Sequence, residues 1–161
     1  MDVWYVVFCK SKADEVAEKN LRNQGLKAYR PLLPSKSKAG EKFESMFPGY
    51  VFFTADKSKE INFTSIRSTK GVVNIVRFGN AIPTLTDECI EDLRTCEQFF
   101  RGRHALPRTL VQGDRIDFLL GKSHMVGNFY EYCAGERVKL LLEILGQKTQ
   151  VIVPSNQLLP T

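Results

Sequence analysis

The chain has 161 residues, of which 43% are apolar, 25% charged and 11% aromatic, with a net charge of +5. Ordinary globular composition excludes a disordered chain, and no apolar run approaches the roughly 20 residues of a membrane-spanning helix. Nine basic side chains crowd into residues 10–42 against four acidic ones, while the rest carries fourteen of each. A basic stripe on a neutral body fits either a polyanion or a solvated lysine-rich surface. Met1-Asp2-Val3-Trp4 has no basic region ahead of an apolar stretch, so no signal peptide and a cytoplasmic location are expected. Cys9, Cys89, Cys96 and Cys133 form no C-x-x-C pair and read as reduced thiols. His104 and His124 lack ligand-like neighbours, so neither a metal site nor a histidine-centred triad is supported. No glycine-rich phosphate loop or nucleophile–base pair is visible, and Asp114 and Asp117 read as turn and surface residues. We expect no enzyme and no cofactor.

Val3–Cys9 is β-branched and aromatic and predicts a buried strand. Ser11 is placed to cap a helix with Asp14 and Glu15 in its first turn, Ala13, Val16, Ala17 and Leu21 recurring at helical spacing, and Gly25 closing it. Leu26–Leu33 predicts a strand ended by Pro34, Ser35–Gly40 a polar hairpin tip, and Gly49–Phe53 a third strand. A short helix is expected over about 57–67, a fourth strand over Gly71–Phe78, and a helix capped by Thr86 with Ile90 and Leu93 facing inward. This order predicts an α+β fold, an antiparallel sheet with helices of the split βαβ (ferredoxin-like) kind.

Arg101–Arg108 reads as a linker. Beyond it, Arg115–Leu120, Val126–Cys133, Arg137–Leu145 and Thr149–Val153 are strand-like and punctuated by glycines at 113, 121, 127, 135 and 146, which suggests a small SH3-like β-barrel. The boundaries are 1–100, 101–110 for the linker, and 111–161. Arg137–Leu145 fits two templates. Val138, Leu140, Leu142 and Ile144 share a face at period 2; Val138, Leu141, Leu142 and Leu145 share one at helical period. Periodicity does not arbitrate, but a half-exposed strand would place both Leu141 and Leu145 on its wet face.

Trp4-Tyr5-Val6-Val7 followed by Phe47-Pro48-Gly49-Tyr50-Val51-Phe52 resembles the NusG family of transcription elongation factors. The run Gly113-Asp114-Arg115, Gly121 and Arg137–Gly146 looks like that family's KOW domain. Cys9-Lys10, Lys70-Gly71-Val72, Val76–Gly79 and the leucines at 140–142 are most similar to the RfaH-like, operon-specific antiterminators within it. The resemblance implies a monomeric, two-domain factor whose N-terminal domain binds the clamp helices of the RNA polymerase largest subunit through an apolar depression at Phe8, Phe47, Pro48, Tyr50, Phe52, Ile75 and Phe78. Taken singly, Tyr50 and Phe52 read as core, and Phe8 and Phe78 as surface. It implies a non-template DNA contact at Lys10 and Lys70, to which Arg77, Lys19 and Arg22 add charge. Ser11, Ala13, Val16 and Asn20 depart from the family's polar or basic pattern, which implies a different recruitment sequence. Asn62-Phe63-Thr64 falls where such proteins hold a second polymerase contact, with Phe63 departing from the polar pattern.

The resemblance also implies that the C-terminal domain can dock as a helical hairpin and refold as a barrel that recruits a ribosomal protein. Glu44 and Arg137 match an interdomain ion pair, and Phe129, Leu141, Leu142 and Leu145 are the candidate docking side chains. Two alternatives stay open: a general NusG-type factor without sequence specificity, and an RNA- or ribosome-binding KOW module. The slight basic excess over 108–161 argues against the last.

Overall fold

The computed structural model describes residues 2–35, 42–56, 58–102, 117–120, 123–126, 137–138, 141–142 and 145. Its chain separates into two compact units. One is built from Met1–Arg30 and Phe47–Asp87; the other takes Pro31–Met46 and the chain from Glu88 onward.

The first unit is organised by β1 (Val3–Cys9), which pairs antiparallel with β5 (Tyr50–Thr54) on one side and β6 (Val72–Ile75) on the other. β2 (Lys27–Tyr29) adds to the far edge of β5, and β7 (Leu85–Thr86) pairs with the start of β1. Alternation along β1 divides the sheet into two faces. Tyr5, Val7 and Cys9 meet Phe53, Val51, Ile75 and Val72 by register, and all point toward the helices. There α1 (Asp14–Asn23) buries Ala17 and Leu21, and α2 (Phe63–Arg67) buries Ile66, in one continuous apolar core. Trp4, Val6 and Phe8 point the other way, with Phe52 opposite Val6 and Tyr50 opposite Phe8.

Local chemistry explains where these elements start and stop. The α1 helix begins at Asp14, not behind a Ser11 cap. The Ala13 N–H bonds the Lys10 carbonyl at 3.0 Å, and the turn holds Lys12 at φ +58°, so Ala13 takes the cap position without a side-chain bond. Gly25 ends the helix at φ +82°, the left-handed conformation foreseen for it. α2 is shorter than expected because Asn62 caps it, its side-chain oxygen accepting from Thr64 N–H (3.1 Å) and Ser65 N–H (3.2 Å). The β6 strand stops at Ile75, short of Phe78. Phe78 and Ala81 instead exchange backbone bonds of 2.9 and 3.1 Å around Gly79-Asn80, with Gly79 at φ +64°.

The second unit begins where the expected strand 26–33 breaks. Pro31 has no N–H to continue β2, and the chain resumes as β3 (Leu32–Ser35), paired antiparallel with β4 (Lys42–Ser45). Pro34 sits inside β3 rather than ending it; among the described strands β3 pairs with β4 alone, and an edge strand tolerates a residue without an N–H. Helix α3 (Asp87–Gly102) starts at the junction of the units and buries Ile90 and Leu93, as their spacing predicts. Its Glu97 carboxylate accepts the Leu32 N–H at 3.3 Å. A hairpin of β8 (Asp117–Leu120) and β9 (Ser123–Val126) follows.

Four of the five described residues of the ambiguous leucine segment are helical. Arg137, Val138, Leu141 and Leu142 have helical backbone, and the Leu145 N–H bonds the Leu141 carbonyl at 3.0 Å. Arg137, Leu141 and Leu145 are all buried; a spacing of four puts them on one face in a helix and in a strand alike, so the backbone and the Leu145–Leu141 bond, not the spacing, mark the helical turn. The linker beyond Gly102, the 36–40 hairpin tip, Phe129, the 127–133 and 149–153 runs and the glycines at 121, 127 and 135 lie outside the described residues.

Candidate polymerase-binding and nucleic-acid faces

Of the seven candidates for polymerase contact, three share one sheet face: Phe8, Tyr50 and Phe52. Phe8 is 43% exposed, and its ring packs at 5.4 Å from the half-buried Tyr50 ring. Burial holds the Tyr50 hydroxyl pKa above its ordinary value. Phe52 is fully buried between Tyr29 (6.3 Å) and Phe47, which meets it edge-on at 6.2 Å. Aromatic side chains carry much of the energy of core and interface packing, so this row can serve either purpose. Pro48 is exposed in the turn before β5. Ile75 does not join the row. It pairs with Val7 and belongs to the helix-covered core. Phe78 is half-buried, four residues beyond the β6 residue that faces Phe8, hence up to about 13 Å away at about 3.3 Å per strand residue. The open part of the face is therefore its Phe8–Tyr50 end, since Trp4, Val6 and Tyr29 are also buried.

The Phe47–Tyr50 turn shapes that end. Pro48-Gly49, with Gly49 at φ +88° and the Tyr50 N–H bonding the Phe47 carbonyl at 3.1 Å, has the signature of a type II turn. The Gly49 carbonyl accepts from Cys9 N–H at 2.7 Å, and the Gly49 N–H donates to the Asp14 carboxylate at 3.2 Å. The Cys9 thiol beneath it is pushed up to about 12 by burial, with Asp14 adding to the shift and Arg30 opposing it. The sequence marks Asp14 only as a first-turn acid; its bond to Gly49 spans 35 residues and leaves no local signature.

The basic candidates are exposed but not contiguous. Lys10 and Lys70 are brought into the same region, because the Lys10 N–H bonds the carbonyl of Gly71, the residue after Lys70, at 2.9 Å. The α1 backbone seats this junction. A β-carbon on Gly71 would lie 2.9 Å from the Ala13 carbonyl oxygen and 3.0 Å from the Ala17 nitrogen. Lys12, missed as an individual candidate, shares the same turn in a left-handed conformation that costs a non-glycine about 1–2 kcal/mol. Asn20 reaches toward this side, at 3.4 Å from the Lys70 carbonyl. Arg22 points to the opposite flank of α1, where its Nε and Nη2 bond the Ala28 carbonyl at 3.2 and 3.0 Å. It also pairs with Glu18 at 3.8 Å, as Arg30 does at 3.9 Å. Burial raises the Glu18 pKa, and the two guanidinium groups offset part of that rise. Lys19 lies exposed on α1. Arg77 lies beyond the end of β6, five residues from Val72 and so up to about 16 Å away at roughly 3.3 Å per residue. Asn62 and Thr64 are exposed at the start of α2, whereas Phe63 packs edge-on against Tyr5 at 5.5 Å. Its departure from a polar pattern has a structural use.

In the second unit, Arg137 is 3% exposed. Its Nη2 lies 3.1 Å from the Glu44 carboxylate on β4, and its Nη1 3.5 Å from the Ser45 carbonyl. Its Nε has no acceptor among the described residues. Leu141 and Leu145 are buried and Leu142 half-buried. Among the described residues, no group of His, Cys, Asp and Glu is arranged to hold a metal ion, and no helix is long and apolar enough to cross a membrane.

A family model described as "Transcription termination factor nusG" matches residues 2–94. Among solved structures, the chain is similar to that of "Domain interaction in Thermotoga maritima NusG", at 20% identity over 75% of this chain and 67% of that one, with a TM-score of 0.41. Because the family match spans more than half of the chain, the protein belongs to the NusG family of transcription elongation and termination factors, which are non-enzymatic and whose membership implies binding to RNA polymerase.

Proposed function

We propose that the protein is an operon-specific antitermination factor of the RfaH-like kind. In this reading, the Phe8–Tyr50 end of the aromatic face grips the polymerase clamp helices, non-template DNA is read around Lys10 and Lys70, and the C-terminal segment restrains binding until DNA recruits the factor. Bound to polymerase, the factor favours elongation-competent states by differential affinity, with no chemistry of its own. The observation that carries the reading is the helical backbone of Arg137, Val138, Leu141 and Leu142, joined to β4 by the pair of the buried Arg137 with the half-exposed Glu44. A permanent barrel strand would not make the Leu145 N–H to Leu141 carbonyl bond, which closes a helical turn.

A general NusG-type factor is the second reading, and the β8–β9 hairpin favours it, since paired strands suit a barrel. Glu44→Ser separates the two. With restraint, the full-length variant binds purified polymerase more tightly than the parent when no recruiting DNA is present. A general factor binds equally with and without the substitution, and that result refutes the operon-specific reading.

A further inference from the structure

An exposed aromatic ring at the end of a strand samples several rotamers, and a partner that binds it bears the entropy of fixing one. Phe8 carries such a ring but is not left to itself. A β-carbon on Gly49 would stand 3.5 Å from Phe8 Cε2 and 3.9 Å from Cδ2, so the ring edge rests directly over the Gly49 backbone. Tyr50 flanks the ring at 5.4 Å with planes tilted by 49°. Gly49 is therefore the floor of the exposed pair, and three elements fix its position: β1 through Cys9 N–H, the turn through the Phe47 carbonyl, and α1 through Asp14. Only the last is a side-chain contact, and only it links the ring's seat to the helix that begins beside Lys10 and Lys12.

We infer that Asp14 is a positioning residue for polymerase binding: by accepting the Gly49 N–H it holds the turn on which Phe8 rests, so that the Phe8–Tyr50 pair meets its partner pre-arranged. This rests on the reading of that pair as the polymerase-binding end of the face. The role requires an acceptor at this position rather than a negative charge. That separates it from a second use of Asp14, interaction with the α1 dipole, which the neighbouring Glu15 shares.

The test uses the full-length protein and purified core RNA polymerase. Asp14→Ala is expected to weaken binding by about 3- to 10-fold, the order expected when one additional side chain must be immobilised. Asp14→Asn, which keeps an acceptor, and Glu15→Gln, which removes a neighbouring charge, are expected to stay within about twofold of the parent. In the free Asp14→Ala protein, the Phe8 and Tyr50 ring resonances should shift while those of Tyr5 and Phe63, on the opposite face, hold still. Parent-like affinity in Asp14→Ala, or equal losses in the Ala and Asn variants, overturns the inference. Should Asp14→Ala fail to fold, Asp14→Glu replaces it. That variant keeps the charge but displaces the carboxylate by one methylene; weakened binding supports the inference and parent-like binding overturns it. Phe8→Ser is measured alongside. Unchanged affinity there overturns the aromatic-face reading itself, whereas a loss in Phe8→Ser with none in Asp14→Ala leaves that reading standing and refutes only the role of Asp14.

Discussion

Removing the carboxylate of Glu44 should cost more stability than removing the guanidinium it serves. Arg137 is almost wholly buried, while the Glu44 side chain is 49% exposed. Glu44→Ala leaves a buried cation with one 3.5 Å contact to the Ser45 carbonyl and an Nε without an acceptor among the described residues. An unpaired buried charge of this kind costs several kcal/mol when fully dehydrated, but water entering beside the exposed Glu44 position screens it, so about 1–3 kcal/mol is the appropriate range. Arg137→Met deletes the buried charge, keeps an apolar chain of similar reach, and leaves Glu44 free to be hydrated. Its cost should lie near zero, within about 1 kcal/mol, and the double variant should resemble it. Amide exchange at Leu145 reads the effect locally, because that N–H closes the turn onto Leu141. A loss of about 1–3 kcal/mol speeds exchange through local opening by about 5- to 150-fold. Urea denaturation of each variant supplies the global comparison. Unchanged Leu145 exchange in Glu44→Ala, or an Arg137→Met variant as damaged as Glu44→Ala, would refute the idea that the ion pair holds this helical segment.

Two further predictions concern the first unit. Gly49→Ala places a side chain at φ +88° with no contact closer than 3.5 Å, so it should cost about 1–2 kcal/mol; Gly71→Ala adds a collision with the α1 backbone at 2.9–3.0 Å and should cost about 3 kcal/mol or more, and urea midpoints in the reverse order would contradict the packing described. The Asp87 carboxylate accepts from Trp4 Nε1 at 2.8 Å and Asp2 N–H at 2.7 Å, and those bonds hold its pKa below the ordinary 3.8. A carboxylate depressed in the folded state contributes stability above its unfolded pKa and loses it as pH falls through the folded value. Emission from Trp4, the one tryptophan in the chain, should therefore report acid loosening below about pH 3.8, with a shallower transition in Asp87→Asn; identical acid profiles would contradict this.

What the sequence disclosed and what it hid follow from the range of the interactions involved. The β1 and β5 strands were legible because β-branched and aromatic runs have no better use than a buried sheet, and Pro48-Gly49 announced a turn through backbone restriction alone. Gly25 and the inward spacing of Ile90 and Leu93 were equally local signals. β4 escaped notice because Lys42-Phe43-Glu44-Ser45 has a mostly exposed, polar surface, and what makes it a strand is its pairing with β3. The side of the sheet taken by Ile75 was illegible for a related reason: it depends on register with Val7, next to an irregularity at Phe8–Cys9 that no periodicity encodes. Arg22 and Lys19 were grouped by sequence spacing, yet the Ala28 carbonyl draws Arg22 to the opposite flank from Asn20 and Lys70. In the leucine segment both periods were present in the sequence, and only the backbone bond from the Leu145 N–H to the Leu141 carbonyl marks the helical one.

The most direct test of the account is the affinity of the full-length protein for purified core RNA polymerase when Phe8 is made polar. The exposed 43% of a phenylalanine that presents about 200 Å² is worth about 2 kcal/mol on burial, so Phe8→Ser should weaken binding by about 30-fold while Trp4 emission stays that of the folded protein. Parent-like affinity in a folded Phe8→Ser variant would contradict the claim that the Phe8–Tyr50 end of this sheet is what the polymerase holds.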